Sequence, residues 1–347
     1  MARTSRTVTT NRGDIHLNES GPDDGVPVVL VHGNLSTGRF YDQVMAAAPD
    51  HLHMMAPDMR GFGRTANRII DATRGLRDWS DDVAALLESL GIDDPVHLAG
   101  WSTGGAAIAS YAIDRPDQVA SLTFIDPVSP YGYGGVHLDG TPTTDDFAGS
   151  GGGTGNADFV AALAAGDRST DSPVSPLNVM RTSYWSPSFT VDPEWEQVLL
   201  EEILLSEVGD QGYPGDFTTS ENWPGVAPGE VGVLNALSPK YCNWAGIVDI
   251  DPRPPVLWVH GSDDIVVANG SPWEMGTLGA ADAIPGWPGA QSYPPQQMVD
   301  QIRSILTSYG ERGGEVRMEW FEGSGHGCHI DNLDGFTDAF FDLVGPA

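Results

Sequence analysis

Between residues 26 and 126 short apolar runs rich in β-branched residues alternate with stretches of helical periodicity, and this alternation constrains the fold more than any other feature of the chain. Val26-Pro27-Val28-Val29-Leu30-Val31 ends at His32-Gly33, a composition suited to a central strand buried on both faces. His53 to Ala56 reads as a weaker strand closed by Pro57-Asp58. Trp79, Val83, Leu86, Leu87 and Leu90 share one helical face, with Gly91 where the helix should stop. Val96 to Gly100 and Leu122 to Asp126 are further strands, and a small-residue helix opens at Gly104. Strands separated by helices predict a mostly parallel central sheet flanked by helices, because parallel neighbours need crossover connections.

From Ser129 to Pro254 the rhythm breaks. Gly149 to Gly155 reads as a flexible tract, and one helix begins near Asp192 with Pro193 at its first position. Strand signals return at Pro255 to Gly261 and at Val316 to Phe321, separated by a smaller insertion rich in Pro, Gly and Trp. The expected organisation is one α/β core from 1–128 and 255–347, with 129–254 inserted as a cap. No apolar stretch approaches the roughly 20 residues of a membrane helix, and no secretory leader is visible, so a cytoplasmic, soluble protein is expected.

Gly100-Trp101-Ser102-Thr103-Gly104 fits Gly-x-Ser-x-Gly, between an apolar strand and a helix of small residues. A sharp strand-to-helix turn presents the serine hydroxyl and needs glycines where side chains would collide. A hydroxyl is a weak nucleophile and needs a base, itself held by a third group. Gly261-Ser262-Asp263-Asp264 and Gly325-His326 follow the last two strands, giving the chain order Ser, acid, His. All three positions fall at carboxyl ends of strands, where open α/β sheets place their ligands. His329 competes with His326, and Asp263 and Asp126 compete with Asp264.

These pieces, with His32-Gly33-Asn34 and Asp58-Met59-Arg60-Gly61-Phe62-Gly63, resemble the α/β-hydrolase superfamily, most nearly its capped esterases and cofactor-free haloperoxidases. The resemblance spans roughly residues 10–128 and 255–345. It implies an α/β-hydrolase fold in which Ser102 is the nucleophile, His326 the base and Asp264 the acid, with the oxyanion held by the amides of Thr103 and Asn34. It implies hydrolysis of an ester or lactone of a small-molecule substrate; carbon–carbon hydrolysis, amide hydrolysis, perhydrolysis and a non-catalytic binding role are the alternatives. His32, Asp58 and Arg60 are expected to brace loops, and Trp101 to pack beneath the serine. Tyr131, Tyr133, Tyr184, Trp185, Trp223 and Trp287 line an acyl pocket or build the core of the cap.

No cofactor or metal is expected: the remaining histidines lack ligand spacing, and the glycine tract lacks the Lys-Ser/Thr ending of a phosphate loop. Cys242 and Cys328 form no disulfide framework. Asp and Glu total 48 against 17 Lys and Arg, a net charge of -31, with Lys240 the only lysine. Such a surface repels nucleic acid and anionic membranes, and its dispersed carboxylates suit concentrated salt. Oligomeric state is not written in these patterns.

Overall fold

The computed structural model describes residues 3–65 and 68–345. Its centre is an eight-stranded sheet formed by β1 (Thr4–Thr10), β2 (Gly13–Ser20), β3 (Val26–Val31), β4 (Leu52–Pro57), β5 (Val96–Trp101), β6 (Val119–Ile125), β7 (Val256–Gly261) and β8 (Val316–Phe321). The spatial order is β1-β2-β4-β3-β5-β6-β7-β8. From β4 to β8 every pairing is parallel, whereas β1 and β2 form an antiparallel hairpin at one edge. The apolar runs are central for the reason given by their composition: Val28 to Val31 and Leu257 to Val259 are buried on both faces.

Helices cover the sheet. The Trp79 face belongs to α1 (Arg77–Leu90), which ends on Gly91 in the left-handed conformation. Small residues make up α2 (Thr103–Asp114), which packs against β5 and β6. The segment between β6 and β7 holds α3 (Ala157–Ala164), α4 (Pro176–Ser183), α5 (Pro193–Ile203) and short two-stranded ribbons. Asp192 caps α5 by accepting from the amides of Glu194 and Trp195, with Pro193 in the first turn. Two more helices, α6 (Met298–Glu311) and α7 (Leu333–Val344), flank β8 in sequence.

The expected flexible tract at 149–155 is corrected by the structure. Gly149, Ser150, Gly151 and Gly152 are buried, and Gly152–Thr154 form a 3₁₀ turn. Gly149 and Gly151 have φ of 81° and 80°, and a side chain at either would meet the Tyr293 hydroxyl or Pro228 and Asn235. Glycine is there because neighbouring chain approaches too closely for a Cβ, not to confer mobility.

The segments that follow β6 and β7 also meet each other. The Trp223 ring packs edge-on against Tyr293 at 4.8 Å, and the Tyr293 hydroxyl donates to Ala148 O at 3.0 Å. Tyr133 donates to Val266 O at 2.8 Å, and Trp287 donates to Tyr293 O at 3.0 Å. Among the described residues no helix is long and apolar enough to cross a membrane.

Candidate active site

Ser102 follows β5 directly and has φ 53° and ψ −115°, a left-handed conformation costing a non-glycine residue about 1–3 kcal/mol. Its amide donates to Ile125 O, and its carbonyl accepts from the amides of Gly105 and Val128, which pins the turn on three sides. The flanking glycines are required by contact: a Cβ at Gly100 would meet Gly104 O, one at Gly104 would meet Val31 O, and one at Gly105 would lie 2.5 Å from Pro127 Cβ. Thr103 opens α2, so its N–H has no acceptor within the helix.

The loop after β3 passes over the serine, since a Cβ on Gly33 would stand 3.1 Å from Ser102 Cβ. His32 holds this loop. Its Nε2 accepts from Met59 N at 2.9 Å, so its proton sits on Nδ1, which donates to Gly33 O at 2.7 Å. Burial lowers its pKa to about 4 and keeps the ring neutral. Ser36 Oγ also donates to Gly33 O, at 2.9 Å. That carbonyl shares a rigid peptide plane with the Asn34 amide, so both bonds orient the expected oxyanion donor. Asp58 braces the same region by accepting from Gly38 N and Arg64 N, and Arg60 is paired with buried Asp82 and Asp78.

At the ends of β7 and β8, His326 Nδ1 lies 2.9 Å from Asp264 Oδ2. The other oxygen, Asp264 Oδ1, accepts from Val266 N (2.7 Å) and Val267 N (3.1 Å), so the carboxylate is held by three donors. A neutral imidazole with its proton on Nδ1 leaves Nε2 as the acceptor. Asp263 turns the other way, accepting from Ser186 Oγ at 3.0 Å. His329 is also turned away: it packs 5.0 Å from the Trp101 ring and 4.9 Å from Tyr41, and burial lowers its pKa to about 3. The Ser102 hydroxyl and the His326 ring form no hydrogen bond among those of the described residues. Nucleophile–base contacts are often loose without substrate and tighten in the complex.

Trp101, expected to pack beneath the serine, and His260 also join the group. Trp101 Nε1 donates to His326 O at 2.7 Å, tying the serine turn to the histidine loop. His260, expected to be an ordinary residue, stands behind Asp264: Nδ1 is 3.4 Å from Asp126 Oδ1, and Nε2 is 3.8 Å from Asp264 Oδ2. Burial lowers the His260 pKa to about 4. Asp126 accepts from Gly261 N at 2.8 Å, and burial together with the nearby Asp264 pushes its carboxyl well above the usual range. Potential ligand atoms of Asp126, His260 and Asp264 lie within 4.8 Å of one another. The carboxylates of that trio already serve Gly261, His326, Val266 and Val267, so a cation there would compete with the bonds that hold the histidine. Cys328 is fully buried, and burial beside Asp126 raises its thiol pKa well above the ordinary value, which makes it a poor nucleophile.

Comparison with known proteins agrees with this fold. The model of the alpha/beta hydrolase fold family matches residues 26–292. Lipase LipV of Mycobacterium tuberculosis is 36% identical over 131 residues, 37% of this chain and 44% of that protein. A non-heme chloroperoxidase of Streptomyces lividans is 36% identical over 127 residues, 36% of this chain and 45% of that protein. The alignments thus span less than half the length of these curated relatives. Among solved structures, the esterase EaEST from Exiguobacterium antarcticum superposes with a TM-score of 0.58 at 14% identity, covering 98% of this chain and 99% of that one, a likeness of fold.

Proposed function

The chain belongs to the α/β-hydrolase fold family, and from that premise we propose that it is a serine hydrolase cleaving a carboxylic ester or lactone of a small to medium organic molecule. Ser102 is the nucleophile, His326 the general base and Asp264 the acid that orients it; the amides of Thr103 and Asn34 receive the oxyanion. The observation that carries this reading is the 2.9 Å bond between His326 Nδ1 and Asp264 Oδ2, at the sheet rim where Ser102 stands in its left-handed turn.

In the proposed cycle Ser102 Oγ attacks the carbonyl carbon while His326 Nε2 takes the hydroxyl proton. Asp264 remains ionised and stabilises the imidazolium. The tetrahedral intermediate collapses, His326 returns the proton to the leaving alcohol, and an acyl-enzyme remains on Ser102. Water then adds with His326 again as base, releasing the carboxylic acid and restoring the hydroxyl. No cofactor enters. In this reading residues 129–254 act as a cap that sets substrate choice, and the acidic surface is suited to concentrated salt.

Similarity to a bifunctional esterase/perhydrolase of Acinetobacter calcoaceticus, 36% identical over 126 residues, favours one second activity. Hydrogen peroxide in place of water at the acyl-enzyme would release a peracid by the same proton transfers.

A panel of p-nitrophenyl esters from C2 to C16, with lactones and an added-peroxide arm, tests both readings. The expected result is turnover that falls on acidification and is abolished in Ser102→Ala. Hydrolysis that survives in Ser102→Ala, or a rate unchanged from pH 5 to 8, would sink the assignment.

A further inference from the structure

Helix α4 ends at Tyr184, whose amide donates to Met180 O at 3.0 Å, and the chain then passes Trp185 and Ser186 across three separate loops of the core. On the loop after β3, the Tyr184 hydroxyl donates to Leu35 O at 3.0 Å with Asn34 O at 3.3 Å. On the loop after β8, Tyr184 O accepts from Gly327 N at 2.6 Å. Ser186 N donates to Asp331 Oδ2 at 3.0 Å, the oxygen that also accepts from Gly325 N at 2.6 Å. On the loop after β7, Ser186 Oγ donates to Asp263 Oδ2 at 3.0 Å. The fit is close, because a Cβ on Gly325 would meet the Trp185–Ser186 backbone and one on Gly327 would stand 2.7 Å from the Trp185 ring.

We propose that Tyr184, carried by the insertion, is a positioning residue for the oxyanion-binding loop. Leu35 has φ 50°, a left-handed conformation that side chains rarely adopt. The carbonyls on its two sides, Asn34 O and Leu35 O, both lie within reach of the one phenolic hydroxyl. Fixing those oxygens fixes the peptide planes before and after Leu35, since each plane is rigid. His32 and Ser36 fix the preceding plane through Gly33 O. The Asn34 amide therefore lies in a run of three peptides held from two sides, one of them outside the core. The Tyr184 ring is itself held edge-on to Trp101 at 5.4 Å. An oxyanion donor lowers a barrier when it is aimed in advance, so the hydroxyl acts on the transition state more than on substrate binding.

The role rests on the serine-hydrolase reading, and the test separates the two. In the full chain, Tyr184→Phe keeps the ring and removes only the hydroxyl. Turnover of p-nitrophenyl acetate is counted per site titrated with a fluorophosphonate. The expected result is that kcat and kcat/KM both fall about tenfold with KM within about twofold. Affinity for a trifluoromethyl ketone, whose adduct carries an oxyanion, should fall by the same factor per folded site. That binding measurement decides the matter even when Tyr184→Phe is less stable. Unchanged kcat, or unchanged ketone affinity per folded site, overturns the positioning role and leaves the hydrolase reading intact. A wild-type chain without turnover, or turnover that survives in Ser102→Ala, overturns the hydrolase reading and the role of Tyr184 with it.

Discussion

Asp264 and Asp263 are neighbours with opposite fates: one carboxylate binds His326, and the other reaches Ser186 in the insertion. The histidines separate in the same way, since His326 meets Asp264 while His329 is packed among Trp101, Tyr41 and Phe336. Function and burial should therefore come apart on substitution. Ser102→Ala is expected to lower turnover by about 10⁴ to 10⁶. His326→Ala should lose activity, whereas His329→Phe should keep it, as measured with the same ester. His329 also gives a pH prediction. Its pKa of about 3 lies below the ordinary imidazole value, so the unfolded chain takes up this proton first as pH falls. Stability from the neutral ring is complete above about pH 6.5 and is lost towards pH 3. Relative to His329→Phe, the wild type should lose about 2 kcal/mol between pH 6.5 and pH 5 in urea unfolding. Equal losses in both proteins would contradict the assignment of a buried neutral ring. The sequence singles out Ser102, Asp264 and His326 because each follows closely on a strand end, and the structure pairs two of them, His326 with Asp264. Trp101 on His326 O and His260 behind Asp264 were not legible there, because contacts between distant strands leave no local pattern.

At the level of elements, the sequence signals held where a strand carries an apolar run, even at the exposed sheet edge, and failed where it carries none. The runs ending at Val31, at Gly261 and at Phe321 correspond to β3, β7 and β8, and the Pro193 start corresponds to α5. The β1–β2 hairpin escaped notice because β1 is largely exposed and shows little apolar alternation. The glycine tract misled for a different reason: glycine composition reads the same whether it serves mobility or close approach. Gly151→Ala distinguishes the two. With φ 80° and Pro228 Cα 2.8 Å from the new Cβ, it should destabilise the protein by more than about 1 kcal/mol and lower the melting temperature by several degrees. A neutral or stabilising effect would restore the linker reading.

The whole molecule carries a net charge of -31, and many of its few cations are already committed. Arg60 serves Asp82 and Asp78, Arg64 serves Glu202, and Arg168 serves Glu201. The remaining carboxylates repel one another across the surface. Raising salt from 0.1 M to 1 M shortens the screening length from about 10 Å to about 3 Å. The melting temperature should therefore rise steadily into multi-molar sodium chloride, and a flat profile would contradict the reading of the acidic shell. The effect belongs to the summed field of the whole surface, not to any one ion pair.

The proposed meeting of hydroxyl, imidazole and carboxylate at one rim of the sheet is tested most directly by covalent labelling. A fluorophosphonate probe, followed by peptide mass mapping, should place a single adduct on Ser102 in the wild type. The labelling rate should collapse in His326→Ala. An unlabelled wild type, an adduct on another residue, or full-rate labelling of Ser102 without the histidine would contradict the account.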